Sequence, residues 1–175
     1  MKAKSIKGKS PAEIQSALQQ SMLDGYKPTL AFIFITEIKE INEITAIMDA
    51  AGISIFGAST SEKFNEQGIE ATGIVILLLD MNRANFRIVL KDFESPASVY
   101  ETACQVGEAG KNHFDHPAFI ISTADIRTPG GEVIRGLLDK AGMNASIIGG
   151  GAGEPVNFSG TVFTNKVKSN FGLIS

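Results

Sequence analysis

Apolar positions fall into two alternating patterns along this chain. Residues 30–35 are a continuous apolar run, the signature of a strand covered on both faces, and residues 74–79 are a second apolar run. Elsewhere apolar residues recur at helical spacing, first at Ile14, Ala17, Leu18 and Met22, then at Ile41, Ile44, Ile47, Met48 and Ala51. Ser10-Pro11-Ala12-Glu13 predicts the first helix start: serine caps, proline takes the first helical position, and glutamate completes a capping box. Asp24-Gly25 closes that helix and Gly52 the second. A short strand at residues 53–56 follows, so strand, helix and strand form a βαβ unit with a right-handed crossover. Residues 74–79 and 86–90, around Asn82-Arg83-Ala84-Asn85, predict a hairpin.

The pattern then restarts. Ser95-Pro96-Ala97 repeats Ser10-Pro11-Ala12, 85 residues later, and Val99, Ala103 and Val106 share one face of the next helix. Pro117 precedes a strand at residues 118–121, as Pro28 precedes its strand. Thr128-Pro129 opens a helix carrying Val133, Ile134, Leu137, Leu138 and Ala141, with Thr128 as cap. Ile147-Ile148-Gly149 matches Ile55-Phe56-Gly57, and a second hairpin is predicted from residues 161–164 and 171–174. The expectation is an α/β fold with mixed sheets, flanking helices and two duplicated α-β-α-β-β-β halves, residues 10–94 and 95–175. Neither half is expected to be stable alone. Residues 1–9, with Lys2, Lys4, Lys7 and Lys9, read as a solvated tail.

In open α/β sheets, ligands sit at the carboxyl ends of strands. The ends here are Thr36-Glu37, residues 57–60, residues 122–125 and residues 149–153, which a pseudo-two-fold arrangement would bring around one cleft. Gly149, Gly150, Gly151 and Gly153 read as a tight loop after a short buried strand, suited either to a backbone nest for an anion or to a packing turn. The run is not a dinucleotide fingerprint, since Glu154 stands where the third glycine belongs and Pro155 follows; nor is it a P-loop. Gly57 ends the earlier strand, and Ser59, Thr60 and Ser61 offer hydroxyls to a carboxylate, or else cap the next turn. Glu62 or Glu154 would receive an ammonium group, giving the opposed polarity an amino acid requires. Asp125 and Arg127 lie just past a strand end, as ligand contacts or as a surface pair.

Composition narrows the function. At 175 residues the chain is one domain with a sizeable core, and 19 acidic against 16 basic residues argue against nucleic acid. No apolar run spans a bilayer and no signal peptide precedes the domain, which implies a cytoplasmic protein; the lone Cys104 suits a reducing compartment. His113 and His116, with Asp115 between them, offer metal or haem ligands but no completed set. No cofactor is expected. Cys104 reads as a packed thiol, no serine sits in a nucleophile elbow, and no catalytic set emerges.

The order of these signals resembles the amino-terminal part of the FIST domain, a sensory input module of bacterial signal-transduction proteins. The likeness rests on the apolar strand before Thr36, on Ile55-Phe56-Gly57-Ala58-Ser59-Thr60 with Glu62, and on the strand at residues 73–80. It is completed by Ile148-Gly149-Gly150-Gly151-Ala152-Gly153 followed by Phe158 and Val162-Phe163. The resemblance implies a small ligand, an amino acid above all, with haem in some members. It implies coupling to a histidine kinase, chemotaxis receptor or cyclic-dinucleotide enzyme, and a carboxy-terminal half that usually follows. The expectation is therefore a small-molecule sensor and not an enzyme. The rivals are an enzyme using the same cleft, and an interaction module whose sheet edges build a homo-oligomer.

Overall fold

The apolar run at residues 74–79 lies inside a sheet, flanked by a strand on either side, in a computed structural model that describes residues 1–36, 38–65, 68–70, 72–153 and 160–175. The first half contributes β1 (Ala3–Gly8), α1 (Pro11–Ser21), β2 (Leu30–Ile35), α2 (Ile41–Ala50), β3 (Ser54–Ser59), β4 (Lys63–Asn65), β5 (Gly68–Glu70) and β6 (Ile74–Leu79). Then follow β7 (Leu90–Asp92), α3 (Val99–His113), β8 (Ala118–Thr123), α4 (Gly130–Ala141), β9 (Ser146–Gly151), β10 (Val162–Phe163), β11 (Lys168–Ser169) and β12 (Gly172–Ile174).

Two mixed sheets result, ordered β1-β6-β2-β3-β10-β11 and β7-β12-β8-β9, with β4 and β5 as a separate hairpin. The expected βαβ units are both present: β2 and β3 pair in parallel around α2, and β8 and β9 around α4. In the first sheet β6 runs antiparallel to β1 and β2; in the second, β12 runs antiparallel to β7 and β8. The sheets thus share one pairing pattern, to which β10 and β11 are an addition in the first.

The helix starts follow their sequence signals with small shifts. The Ser10 hydroxyl accepts from the Glu13 amide at 3.3 Å, and the Glu13 carboxylate accepts from the Lys9 amide at 2.9 Å. Pro96 opens a 3-10 turn that leads into α3. At α4 the cap position is Pro129 and not Thr128, so the helix begins one residue later than the serine–proline pattern implies.

Three cores hold the layers together. Ile14, Leu18, Ile41, Ile44 and Met48 from α1 and α2 pack on Ile33, Ile35 and Ile76 of the first sheet. Val99, Ala103, Val106, Val133 and Leu137 from α3 and α4 pack on Phe119 and Leu173 of the second. A third cluster, with Phe56, Ala58, Ala124, Val162 and Ile174, joins the two sheets. The helices therefore lie outside and the sheets meet within. Among the described residues, no helix is long and apolar enough to cross a membrane.

Three sequence expectations are corrected. Residues 3–8 are not a tail but edge strand β1, with Ile6 buried against the core and lysines at the rim. Lys4 donates to the Ser21 carbonyl at 2.6 Å and to Asp24 at 2.9 Å, and lies over the Tyr26 ring. Lysines of this kind are how an exposed sheet edge avoids pairing with other chains, and in sequence they look like solvent. The first hairpin does not form. Strand β6 is claimed on both sides by β1 and β2, and the chain beyond it crosses to the second sheet, where β7 begins only at Leu90. The second hairpin fails likewise: β10 pairs with β3 and β11, and β12 with β7 and β8. Strands β1 and β7 lie ahead of residues 10 and 95, and β4, β5 and β11 add further strands, so the predicted α-β-α-β-β-β order does not hold.

Candidate functional site

One isolated parallel bridge, between Thr60 and Gly153, ties the end of β3 to the segment beyond β9. It joins the two sheets at their carboxyl edges. On one side the Thr60 amide donates to the Ile35 carbonyl at 2.9 Å, which brings in the end of β2. On the other the Ala152 amide donates to the Thr123 carbonyl at 2.7 Å, which brings in the end of β8. The four strand ends predicted to surround a cleft therefore stand in one row: Thr36, Thr60, Gly153, then Thr123 with Asp125.

Ser59 is buried, and its backbone and side chain both hold Thr161. The Ser59 amide donates to the Thr161 carbonyl at 2.8 Å, and the Ser59 hydroxyl oxygen accepts from the Thr161 amide at 2.8 Å. The Thr60 hydroxyl donates to the Glu62 carbonyl at 2.7 Å, a local turn contact of the kind threonine makes after a strand. Glu62 itself is exposed.

The glycines divide by what surrounds them. Gly57 lies inside β3 and not at its end; a Cβ there would sit 2.3 Å from the Phe163 ring. Gly149 and Gly151 are also inside a strand, since β9 continues through the run instead of opening into a loop at Gly149. A Cβ on Gly149 would lie 1.9 Å from the Ile121 carbonyl oxygen, and one on Gly151 2.8 Å from the Ile126 Cα. Those two glycines permit the close approach of β8 and the segment after it. Gly150 differs, because a Cβ there would meet nothing within 4 Å.

Asp125 is buried and closes a turn on Arg127. Its carboxylate accepts from the Arg127 amide at 2.7 Å and from the guanidinium Nε at 2.9 Å and Nη2 at 2.5 Å. Those guanidinium hydrogen bonds hold the Asp125 carboxyl below its ordinary value, against the opposing effect of burial. The pair is more than a surface contact, since only the arginine half is well exposed.

Lys63, which sequence reasoning missed, is buried at the start of β4, and its ammonium donates to the Thr36 hydroxyl. Nothing in the local pattern marks it, because a lysine after Ser61-Glu62 reads as an ordinary solvated residue. Glu37 and Glu154, named above as strand-end and ammonium-binding residues, lie outside the described residues, as does Phe158. His113 ends α3 against Phe114, and His116 precedes β8, at the other end of the sheet from this row. Among the described residues, no group of three or more His, Cys, Asp or Glu is placed to hold a metal ion.

Chemically the row offers an open backbone stretch at Gly150, the exposed Glu62 side chain and the outward guanidinium of Arg127, whose partner Asp125 is already paired. The FIST N domain family model matches residues 29–171 of the chain. No curated protein and no solved structure matches it.

Proposed function

The chain belongs to the FIST N domain family, whose members generally serve as sensory domains in signal transduction, and from that premise we propose that it senses an amino acid or small carboxylate at the row of strand ends. The reading is of a cytoplasmic bacterial input domain that binds without turnover. The observation that carries it is the Thr60–Gly153 bridge, which puts the ends of β2, β3, β9 and β8 side by side. The ligand's carboxylate would face the Gly150 backbone, and its ammonium the exposed Glu62 side chain. Ligand binding would then shift how the domain meets a histidine kinase, chemotaxis receptor or cyclic-dinucleotide enzyme. That shift is bounded by the ligand's difference in affinity between the two states.

The test is a thermal-shift screen against amino acids and small carboxylates, followed by calorimetry on any hit. A ligand at about a hundred times its dissociation constant adds about 2.7 kcal/mol. Gly150→Val is the informative variant, because a Cβ at residue 150 meets nothing within 4 Å. Loss of the hit in a folded Gly150→Val protein supports the reading. A full screen without a hit, or a hit that Gly150→Val leaves unchanged, rejects this placement of the site.

A further inference from the structure

A second cleft, about 460 Å³ in volume, opens at the amino-terminal end of β3, the opposite end of that strand from Thr60. Three separate pieces of chain build it. Ser54 opens β3, Arg83 and Arg87 belong to the crossover between the sheets, and Lys166 sits in the turn joining β10 to β11. Phe86, Ile88 and Leu90 supply an apolar wall.

The charge on this lining is one-sided. Among the described residues, three cations line the cleft and no carboxylate does, in a chain whose net charge is −3. Arg83 is already oriented, with its guanidinium donating to the Gly52 carbonyl and, at 3.2 Å, to the Ser54 hydroxyl. Arg87 and Lys166 are exposed, and among the described residues neither forms an ion pair. Asn165 fixes the turn that carries Lys166, donating to the Ile53 carbonyl at 2.8 Å and accepting from the Ile55 amide at 2.9 Å. Asp49 accepts from the Asn165 amide group at 3.4 Å and is not part of the lining. Cations held close together without counter-charges repel one another, and an anion that enters removes that repulsion.

We propose that this cleft binds a phosphate monoester carried on an aromatic or apolar body. A phosphoryl group brings close to two negative charges and three acceptor oxygens, which matches three cations better than a single carboxylate does. Arginine forks suit its geometry, and Lys166 adds a point charge. The body of the ligand lies on Phe86 and its aliphatic neighbours. The site is separate from the strand-end row and does not depend on the amino-acid reading.

Isothermal titration of the whole chain at low salt, with phenyl phosphate as the probe and benzyl alcohol as its uncharged counterpart, tests the assignment. One molecule of phenyl phosphate is expected to bind per chain, more weakly as salt rises, and benzyl alcohol not at all. Arg87→Gln and Lys166→Gln should each weaken phenyl phosphate binding about tenfold or more, the usual scale for losing one charge-assisted contact. Both side chains are exposed, so thermal melts of the variants should match the parent. In the parent itself, amide resonances of Ser54 and Lys166 should move with the probe while those of Thr60 and Gly150 stay still. Absence of saturable binding, binding indifferent to both substitutions, or equal binding of benzyl alcohol would each overturn the proposal.

Discussion

The ring of Phe163 lies against the bare backbone of Gly57, where the two residues pair across β10 and β3. Phe163 is fully buried, and it enters the first core from the far end of the chain. Gly57→Ala should therefore overpack this contact and destabilise by about 1–3 kcal/mol. Urea denaturation measures it, and Phe163→Leu combined with Gly57→Ala should recover part of the loss. A neutral Gly57→Ala would mean that the ring does not sit there.

Neighbouring glycines of β9 should respond oppositely. Gly149 has φ +155 and no room beside the Ile121 carbonyl, so Gly149→Ala should cost at least about 2 kcal/mol. Gly150→Ala adds a methyl to open space and should stay within about 0.5 kcal/mol of the parent. Paired denaturation curves decide it.

Ser59→Ala should destabilise by about 1–3 kcal/mol, because it leaves the buried Thr161 amide without the hydroxyl that now accepts from it. Ser59→Thr keeps the oxygen and tests whether the loss is one of hydrogen bonding. If both variants were equally stable, the bond would carry no weight.

Asp125 gives a pH prediction with a definite sign. Its folded pKa lies below the ordinary value, because Arg127 donates to the carboxylate. The pair therefore contributes stability above the unfolded carboxylate pKa, about 3.9, and that contribution is lost as pH falls through the lowered folded value. In Arg127→Gln the Asp125 carboxyl should titrate higher, and the stability gap between parent and variant should be widest near neutrality and close in acid. Carboxyl carbon resonances followed by NMR, with urea midpoints at several pH values, check both halves.

Deletion of residues 1–8 should damage the protein far more than loss of a tail would. It removes β1, uncovers the β6 ladder over six register pairs and takes Ile6 out of the first core. Ile6→Ala alone should cost about 2–4 kcal/mol, measured by chemical denaturation. A truncated chain as stable as the parent would show the strand to be dispensable.

Local signals in the sequence were reliable wherever one element decided its own form. Continuous apolar runs gave β2 and β6, and Ser10-Pro11 and Ser95-Pro96 located the approach to α1 and α3. What misled was pairing, which depends on residues far apart. Phe86 follows an asparagine turn after β6, as a hairpin would, yet β6 already has β1 and β2 beside it. At the site, the row of strand ends was legible from Gly57, Thr60, Asp125 and Gly153, although Gly57 itself turned out to be a packing position. Lys63 was not legible, because burial of a single lysine is a tertiary fact. The Gly149 to Gly151 distinction was equally hidden, since it depends on how closely β8 and the residues after it pass.

The first sheet is completed by strands that lie far downstream of its other members. Ser59 and Thr161, 102 residues apart in sequence, must find each other before β3 gains a neighbour on its outer side. During translation, residues 1–92 leave the ribosome with one edge of β3 open for as long as the second half takes to appear. Long-range closure of this kind slows folding and leaves a strand available to wrong partners in the interval. Expression yield in a cell should therefore depend on how quickly residues 93–163 follow, and on chaperones that shelter the waiting edge.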